Sequence, residues 1–205
     1  MKGTFITFEG CEGVGKSTQL DMLHDYLRRT KQEAIFTREP GGTSISEQIR
    51  KIIMSIGNKE MHPLTEALLY AASRAQHVNE VIRPALNAGK IVICDRFIDS
   101  SIAYQGCARG LGIELVRQIN APAIEDCIPD ITIFIDLSPA DAFRTVKKTD
   151  RLEQENSDFH SMVYRAYVNE AEKSNGRVIK IEPCQNKVDT HNKILNALKA
   201  KGVFK

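Results

Sequence analysis

The sequence predicts an α/β fold of three layers, in which helices pack on both faces of a five-stranded parallel sheet. Three observations predict it. Five short apolar runs, at 4–8, 34–37, 91–94, 131–135 and 178–181, are continuous rather than alternating, as strands buried on both faces are. Helical patterns separate the runs, so each strand returns through a crossover. A glycine-rich loop follows the first run, at the strand end where such sheets gather ligands.

Taken in order, Thr4–Phe8 leads into Gly10-Cys11-Glu12-Gly13-Val14-Gly15-Lys16-Ser17-Thr18, a complete G-x-x-x-x-G-K-[ST] phosphate loop. Its glycines let successive N–H groups turn onto phosphate oxygens, and Lys16 adds a cation. Ser17 supplies the type of hydroxyl that holds Mg²⁺ beside those phosphates. Leu20, Leu23 and Leu27 then recur at helical spacing, so the loop opens onto a helix N-terminus. The chain is expected to bind a nucleotide.

Arg38-Glu39-Pro40-Gly41-Gly42-Thr43 follows the second strand and interrupts regular structure. It puts an arginine and pliable backbone at the ligand-bearing end, although turn chemistry alone also accounts for it. Ile45, Ile49, Ile52, Ile53 and Ile56 make one helical stripe, and Leu64, Leu68, Ala71, Ala75, Val78 and Ile82 a second. On the second helix Tyr70 and Arg74 share a face. Such a ring can stack on a planar base while the guanidinium bonds its edge. Core packing with an ion pair to Glu66 or a neighbour is the simpler reading of that pair.

Ile91-Val92-Ile93-Cys94-Asp95-Arg96 ends a buried strand with an acid and a base together. Asp95 can hold Mg²⁺ directly or through water, and Arg96 can clamp phosphate by paired hydrogen bonds. Asp136, after 131–135, has the same lead-in, and either aspartate could instead cap a helix. The adjacent arginine favours Asp95. Ser100–Gly106 is rich in hydrogen-bonding groups. From Thr145 to Asp158 apolar anchors are nearly lacking, which suits either a solvated helix face or a basic lid. Asn186-Lys187-Val188-Asp189 matches the N-K-x-D guanine motif, but Glu182–Gln185 separates it from the last strand and the chain has no D-x-x-G. That segment reads as the start of the final helix, with Val188, Ile194, Leu195 and Leu198 its stripe.

A net charge of +2 is too small to imply a nucleic-acid or membrane surface, so neither partner is expected. Five cysteines without metal-ligand spacing suit a reduced, cytoplasmic protein. No run approaches a membrane span, and the start lacks a signal-peptide core. The length suits one domain, 1–205.

Together these segments resemble the thymidylate kinase family. The resemblance is carried by Phe8-Glu9-Gly10 with its loop, Thr37–Thr43, Leu68–His77, Asp95-Arg96-Phe97, Ser100-Ser101 with Ala103–Gly106, Pro129-Asp130, and Asp150-Arg151-Leu152-Glu153. It implies a P-loop kinase fold with a short lid at about 143–158, working as a homodimer. The implied reaction moves the γ-phosphoryl of ATP to dTMP, giving dTDP and ADP in dTTP biosynthesis, with Mg²⁺. Other nucleoside monophosphate kinases are the nearest rival reading, and a nucleotide-dependent switch a more distant one.

Matched position by position, the family implies that Gly10–Thr18 hold ATP, with Lys16 on its phosphates and Ser17 and Asp95 at Mg²⁺. Glu12 matches a carboxylate near the 3′-hydroxyl of the dTMP sugar, and Arg38 and Arg96 match arginines around the acceptor phosphate. Tyr70 stands where a phenylalanine usually stacks on thymine, Arg74 where an arginine bonds the base. Ser101 and Gln105 fall in the base-reading segment, and Tyr104 matches the ring that disfavours a ribose 2′-hydroxyl. The loop has no arginine between Gly10 and Gly15, which resembles the bacterial subtype whose catalytic cation comes from the lid. Arg151 is then the leading lid cation, with Arg144, Lys147 and Lys148 as helpers. Met162 and Tyr164 replace arginines of the family pattern, and Ser73 an aspartate.

Overall fold

A computed structural model describes residues 3–142 and 150–204. All five expected strands form: β1 (Thr4–Glu9), β2 (Ala34–Arg38), β3 (Ile91–Asp95), β4 (Ile131–Ile135) and β5 (Val178–Ile181). They lie in the order β2-β3-β1-β4-β5, every pairing parallel. Asp95 is level with Phe8 on one side and with Arg38 on the other, so three functional segments leave the sheet at one height. β1 is central, and the order reverses around it. The loop after β1 therefore opens into the crevice that such a reversal creates.

Alternate residues of β1 feed two cores, as a strand's period of two requires. Ile6 and Phe8 meet Leu23 and Leu27 of α1 (Lys16–Arg29) together with Ile194 and Leu198 of α9 (Lys187–Ala200). Phe5 faces the opposite cluster, with Val78, Ile82, Leu86 and Phe97. Leu23 is fully enclosed, so Leu23→Ala costs about 2–5 kcal/mol.

α2 (Ser44–Met54) starts at Thr43, whose hydroxyl accepts from the Ser46 amide at 3.1 Å. α3 (Pro63–His77) starts with proline in its first turn and runs through a π-helical turn, Val78–Ile82, into α4 (Arg83–Asn87). Both helices invert the simple reading of their stripes. α3 buries Glu66, Tyr70, Ser73, Arg74 and His77 while Leu68 is 51% exposed, and on α2 Ile53 is buried but Ile45 and Ile52 face solvent. The inner wall of α3 is polar because it builds a site.

α5 (Ile98–Ser101) passes directly into a second π-helical stretch, Ile102–Ala108, which carries Tyr104 and Gln105. Such widened turns recur at functional sites because they re-aim side chains. α6 (Ile113–Ile124), α7 (Pro139–Ala142) and α8 (Ser157–Lys173) complete the fold. Asn186 caps α9 through the Val188 amide at 2.9 Å, so the N-K-x-D string opens a helix as its sequence setting suggested. Residues 143–149, with Arg144, Lys147 and Lys148 of the expected lid, lie outside the described residues. Ser157 and Asp158, at the far end of that span, belong to α8.

Candidate active site

A cleft of about 400 Å³ opens at the carboxyl ends of β1, β2 and β3. The phosphate loop forms one end. Gly10 has φ 144°, and a Cβ there would stand 2.9 Å from the Ile135 carbonyl oxygen, so only glycine lets the loop leave β1 this close to β4. Lys16 curls back, donating from Nζ to the carbonyls of Gly10 and Cys11, each at 3.1 Å. Burial pushes the Lys16 ammonium below its ordinary value, and nearby Arg96 pushes the same way. An anion at the loop would relieve both effects. Glu12 through Thr18 line the cleft, whereas Gly10 and Cys11 lie beneath it. Burial pushes the Cys11 thiol up to about 12, leaving it a protonated packing group at neutral pH.

Arg96 forms the floor. Its φ of 67° is left-handed, uncommon for a residue with a side chain, and its amide donates to the Phe8 carbonyl at 2.9 Å. Nη2 donates to Glu12 Oε1 at 2.7 Å. Nη1 reaches the Gly10 carbonyl, Ser100 Oγ and Tyr167 Oη at 3.0, 3.2 and 3.0 Å. Burial would push Glu12 up, but Arg96 and Lys16, helped by the Tyr104 hydroxyl, outweigh it and hold the carboxyl below its usual value. For Arg96 burial opposes the cation, and Glu12 together with Tyr104, Tyr167 and Asp95 more than offsets it.

The two rival aspartates separate clearly. Asp136 is occupied, accepting from the Tyr164 hydroxyl at 2.9 Å and pairing with Lys180 at 3.0 Å. Asp95 lines the cleft, and its enclosed Oδ1 has no hydrogen-bond partner among the described residues. An orphaned carboxylate oxygen beside a phosphate loop suits a cation.

At the other end stand Tyr70, Arg74, Tyr104 and Gln105. Arg74 does not pair with Glu66. Its Nε donates to Glu39 Oε2 at 2.7 Å and its Nη1 to Ser101 Oγ at 3.1 Å and to Asn120. Glu39 also bonds His77 Nδ1 at 3.0 Å, and His77 Nε2 meets Thr37 at 2.6 Å. A Cβ on Gly42 would fall 2.6 Å from that imidazole, so the glycine keeps the chain clear of the network. Ser101 therefore sits behind Arg74 rather than on the cleft wall. Arg38 reaches the cleft but holds Glu47, with Nη2 2.9 Å from both carboxylate oxygens.

Arg151 differs most from expectation. It lies outside the cleft lining and is only 6% exposed. Its Nε donates to the Ile53 carbonyl at 3.1 Å, its Nη2 pairs with Glu66, and its amide bonds the Met54 carbonyl at 3.3 Å. Arg151 is thereby pinned to α2 and α3. Glu66, fully buried, also takes Gln105 Nε2 at 2.8 Å and Arg109 Nη2 at 3.3 Å. In this arrangement the Arg151 guanidinium faces the helices rather than the cleft. The sequence reading names Glu66 only as an ion-pair partner for Arg74, and gives Glu9, Glu39 and Tyr167 no role in the site. For Glu9 the available signal was a carboxylate closing an otherwise apolar strand.

The sequence profile described as thymidylate kinase matches residues 8–194. A thymidylate kinase of Lactobacillus delbrueckii subsp. bulgaricus is 51% identical over 187 residues, covering 87% of this chain and 88% of that one. One of Finegoldia magna is 48% identical over 203 residues, covering 98% and 100%. The crystal structure of thymidylate kinase from Ehrlichia chaffeensis superposes with a TM-score of 0.80 at 34% identity, covering 97% of this chain and 99% of its own. With a profile spanning residues 8–194, relatives alike over nearly their full lengths and the same α/β P-loop kinase fold, the chain belongs to the thymidylate kinase family.

Proposed function

We propose that the cleft holds ATP at the phosphate loop and dTMP at the Tyr70–Arg74–Gln105 end, and that the γ-phosphoryl passes between them to give dTDP and ADP, in dTTP biosynthesis. The observation that carries this reading is the place of Arg96. Its guanidinium lies between the two ends, backed by Glu12 at 2.7 Å and open to the cleft. A planar fork there suits an acceptor phosphate.

Each wall has a part. Backbone N–H groups of Gly13–Thr18 and the Lys16 ammonium hold the donor phosphates. The Tyr70 ring stacks on thymine, while Arg74, fixed by Glu39 and Ser101, bonds its edge beside Gln105. Glu12 approaches the sugar 3′-hydroxyl, and Tyr104, donating to Glu12 at 3.2 Å, occupies the space a ribose 2′-hydroxyl needs. Arg38 assists at the acceptor phosphate. No general base is required, because a phosphate monoester with a second pKa of about 6 is largely ionised at neutral pH. Catalysis is positioning together with compensation of charge on the transferring group. Ser17 and Asp95 would hold Mg²⁺, and the orphaned Asp95 Oδ1 fits that role. One hydroxyl and one carboxylate suit an ion that keeps waters and takes substrate phosphates as ligands; when bound, it neutralises phosphate charge.

The chain acts as one domain, 1–205, with a lid at about 143–158. Arg151 serves that lid as its anchor, through Glu66 and Ile53. A second copy of the chain covers the outward Ile45, Ile52, Leu64 and Leu68 of α2 and α3; Leu68→Glu should then lower the mass measured by light scattering. All five cysteines are free, which suits the cytoplasm.

Coupled ADP release with ATP, Mg²⁺ and a panel of nucleoside monophosphates tests the substrate. Preference for dTMP over UMP, CMP, AMP and GMP is expected; equal use of all five would overturn the assignment.

A further inference from the structure

We propose that Glu9, buried beneath the cleft and not itself part of its lining, is a positioning residue that fixes the Arg96 guanidinium for the acceptor phosphate through the Ser100 and Tyr167 hydroxyls. The proposal rests on the reading of Arg96 given above.

The argument is one of hydrogen-bond direction. Glu9 is fully enclosed at the end of β1. Its Oε1 accepts from the Phe97 amide at 2.7 Å. Its Oε2 accepts from Ser100 Oγ at 2.6 Å and from Tyr167 Oη at 2.9 Å. Those two hydroxyls are the groups that receive Arg96 Nη1, at 3.2 and 3.0 Å. A hydroxyl owns one proton. The two hydroxyl oxygens also lie 2.7 Å apart, but whether a proton runs to Glu9 or between them, the carboxylate only accepts and the guanidinium only donates, so both oxygens stay turned toward Arg96. The same carboxylate holds the Phe97 amide, one residue beyond the left-handed Arg96 at φ 67°. Glu9 thus holds both ends of the arginine, its backbone turn and its Nη1.

Glu9→Gln keeps size and shape but reverses one donor. With its Nε2 at the Oε1 position it would oppose the Phe97 amide, donor against donor. At the Oε2 position it would donate to the hydroxyls, so that one must turn its proton toward Arg96 Nη1. Either arrangement disturbs Arg96 while leaving the phosphate loop alone. The Gly10 carbonyl and Glu12 still hold the guanidinium, so its aim should loosen rather than be lost.

The test is steady-state kinetics at about pH 8, with the Glu9 carboxyl, pushed by burial up to about 7, mostly ionised. Glu9→Gln is expected to lower kcat/KM for dTMP on the order of 10-fold or more, with the KM for ATP within about twofold of wild type. The double variant Ser100→Ala with Tyr167→Phe removes both intermediaries while Glu9 stays in place on the Phe97 amide, and should show the same split. It also answers the question if Glu9→Gln does not fold. A folded variant of either kind with unchanged kcat/KM for dTMP overturns the proposal, as does an equal loss on both substrates. Wild-type protein without dTMP kinase activity would instead sink the underlying assignment, which separates the two failures.

Discussion

Two arginines, Arg96 and Arg151, are both buried against a glutamate, yet they stand on opposite sides of the function. At Arg96 both partners keep a margin of exposure, 16% for the arginine side chain and 22% for Glu12, and that margin faces the cleft. At Arg151 the pair is nearly sealed, 6% and 0%, and its Glu66 is shared with Arg109 and Gln105. The first pair offers charge to a ligand. The second uses its charge to join the segment around Arg151 to α2 and α3. A guanidinium–carboxylate pair is therefore not diagnostic by itself; what decides its role is which side of the pair remains open.

The largest effect that sharpens this contrast is on the cleft side. Arg96→Ala should lower kcat/KM for dTMP by about 10³-fold or more, the scale seen when a phosphoryl-clamping arginine is removed. Steady-state assays against wild type would show it, and a loss under tenfold would break the contrast.

Next comes stability at Arg151. Arg151→Ala leaves Glu66 with Arg109 and Gln105, so the cost should be about 1–3 kcal/mol rather than that of an isolated buried charge. For a chain of this size each kcal/mol shifts Tm by roughly 2–4 °C, so calorimetry should show a fall of about 2–12 °C. An unchanged Tm would mean that the Glu66 pair anchors nothing.

The smallest effect concerns the support beneath Arg96. Burial, with Asp99 nearby, raises the Glu9 carboxyl from 4.5 to about 7, against the opposing pull of Arg96 and the Ser100 and Phe97 hydrogen bonds. Also around it are Tyr167 and Glu170 from α8, Thr132 from β4, and Arg177, which holds Asp99 at 2.7 Å. A raised value means that the folded protein binds this proton more tightly than the unfolded chain. Its stabilising contribution is therefore complete below about 4.5 and is lost as the pH rises through about 7. The Tm of wild type relative to Glu9→Gln should fall between about pH 5 and about pH 8 and level off above that. A difference that stays constant across the window would contradict the buried carboxyl's titration.

Much of this was legible in the chain. Continuous apolar runs give away parallel strands because both faces are buried, and all five appear where their residues lie. The phosphate loop, Asp95-Arg96 and the Tyr70/Arg74 face are local patterns, and the structure brings them to one cleft. Other features were hidden by distance along the chain. Arg74 finds Glu39 across 35 residues rather than Glu66 on its own helix, because α3 turns its polar face toward the loop after β2. Arg151 finds Glu66 across 85 residues, and nothing in Asp150-Arg151-Leu152-Glu153 says which way its side chain faces. Periodicity located α2 and α3 but not their inner faces. The rule that apolar residues point inward fails where a helix wall lines a polar site.

The most direct test of the contrast is single-turnover phosphoryl transfer, measured for Arg96→Ala and Arg151→Ala with ATP, Mg²⁺ and dTMP all saturating. Expected is a transfer rate lowered about 10³-fold for Arg96→Ala and no more than about tenfold for Arg151→Ala. The reverse order would show that Arg151 leaves Glu66 to act on the phosphoryl group, and would contradict the role assigned to each.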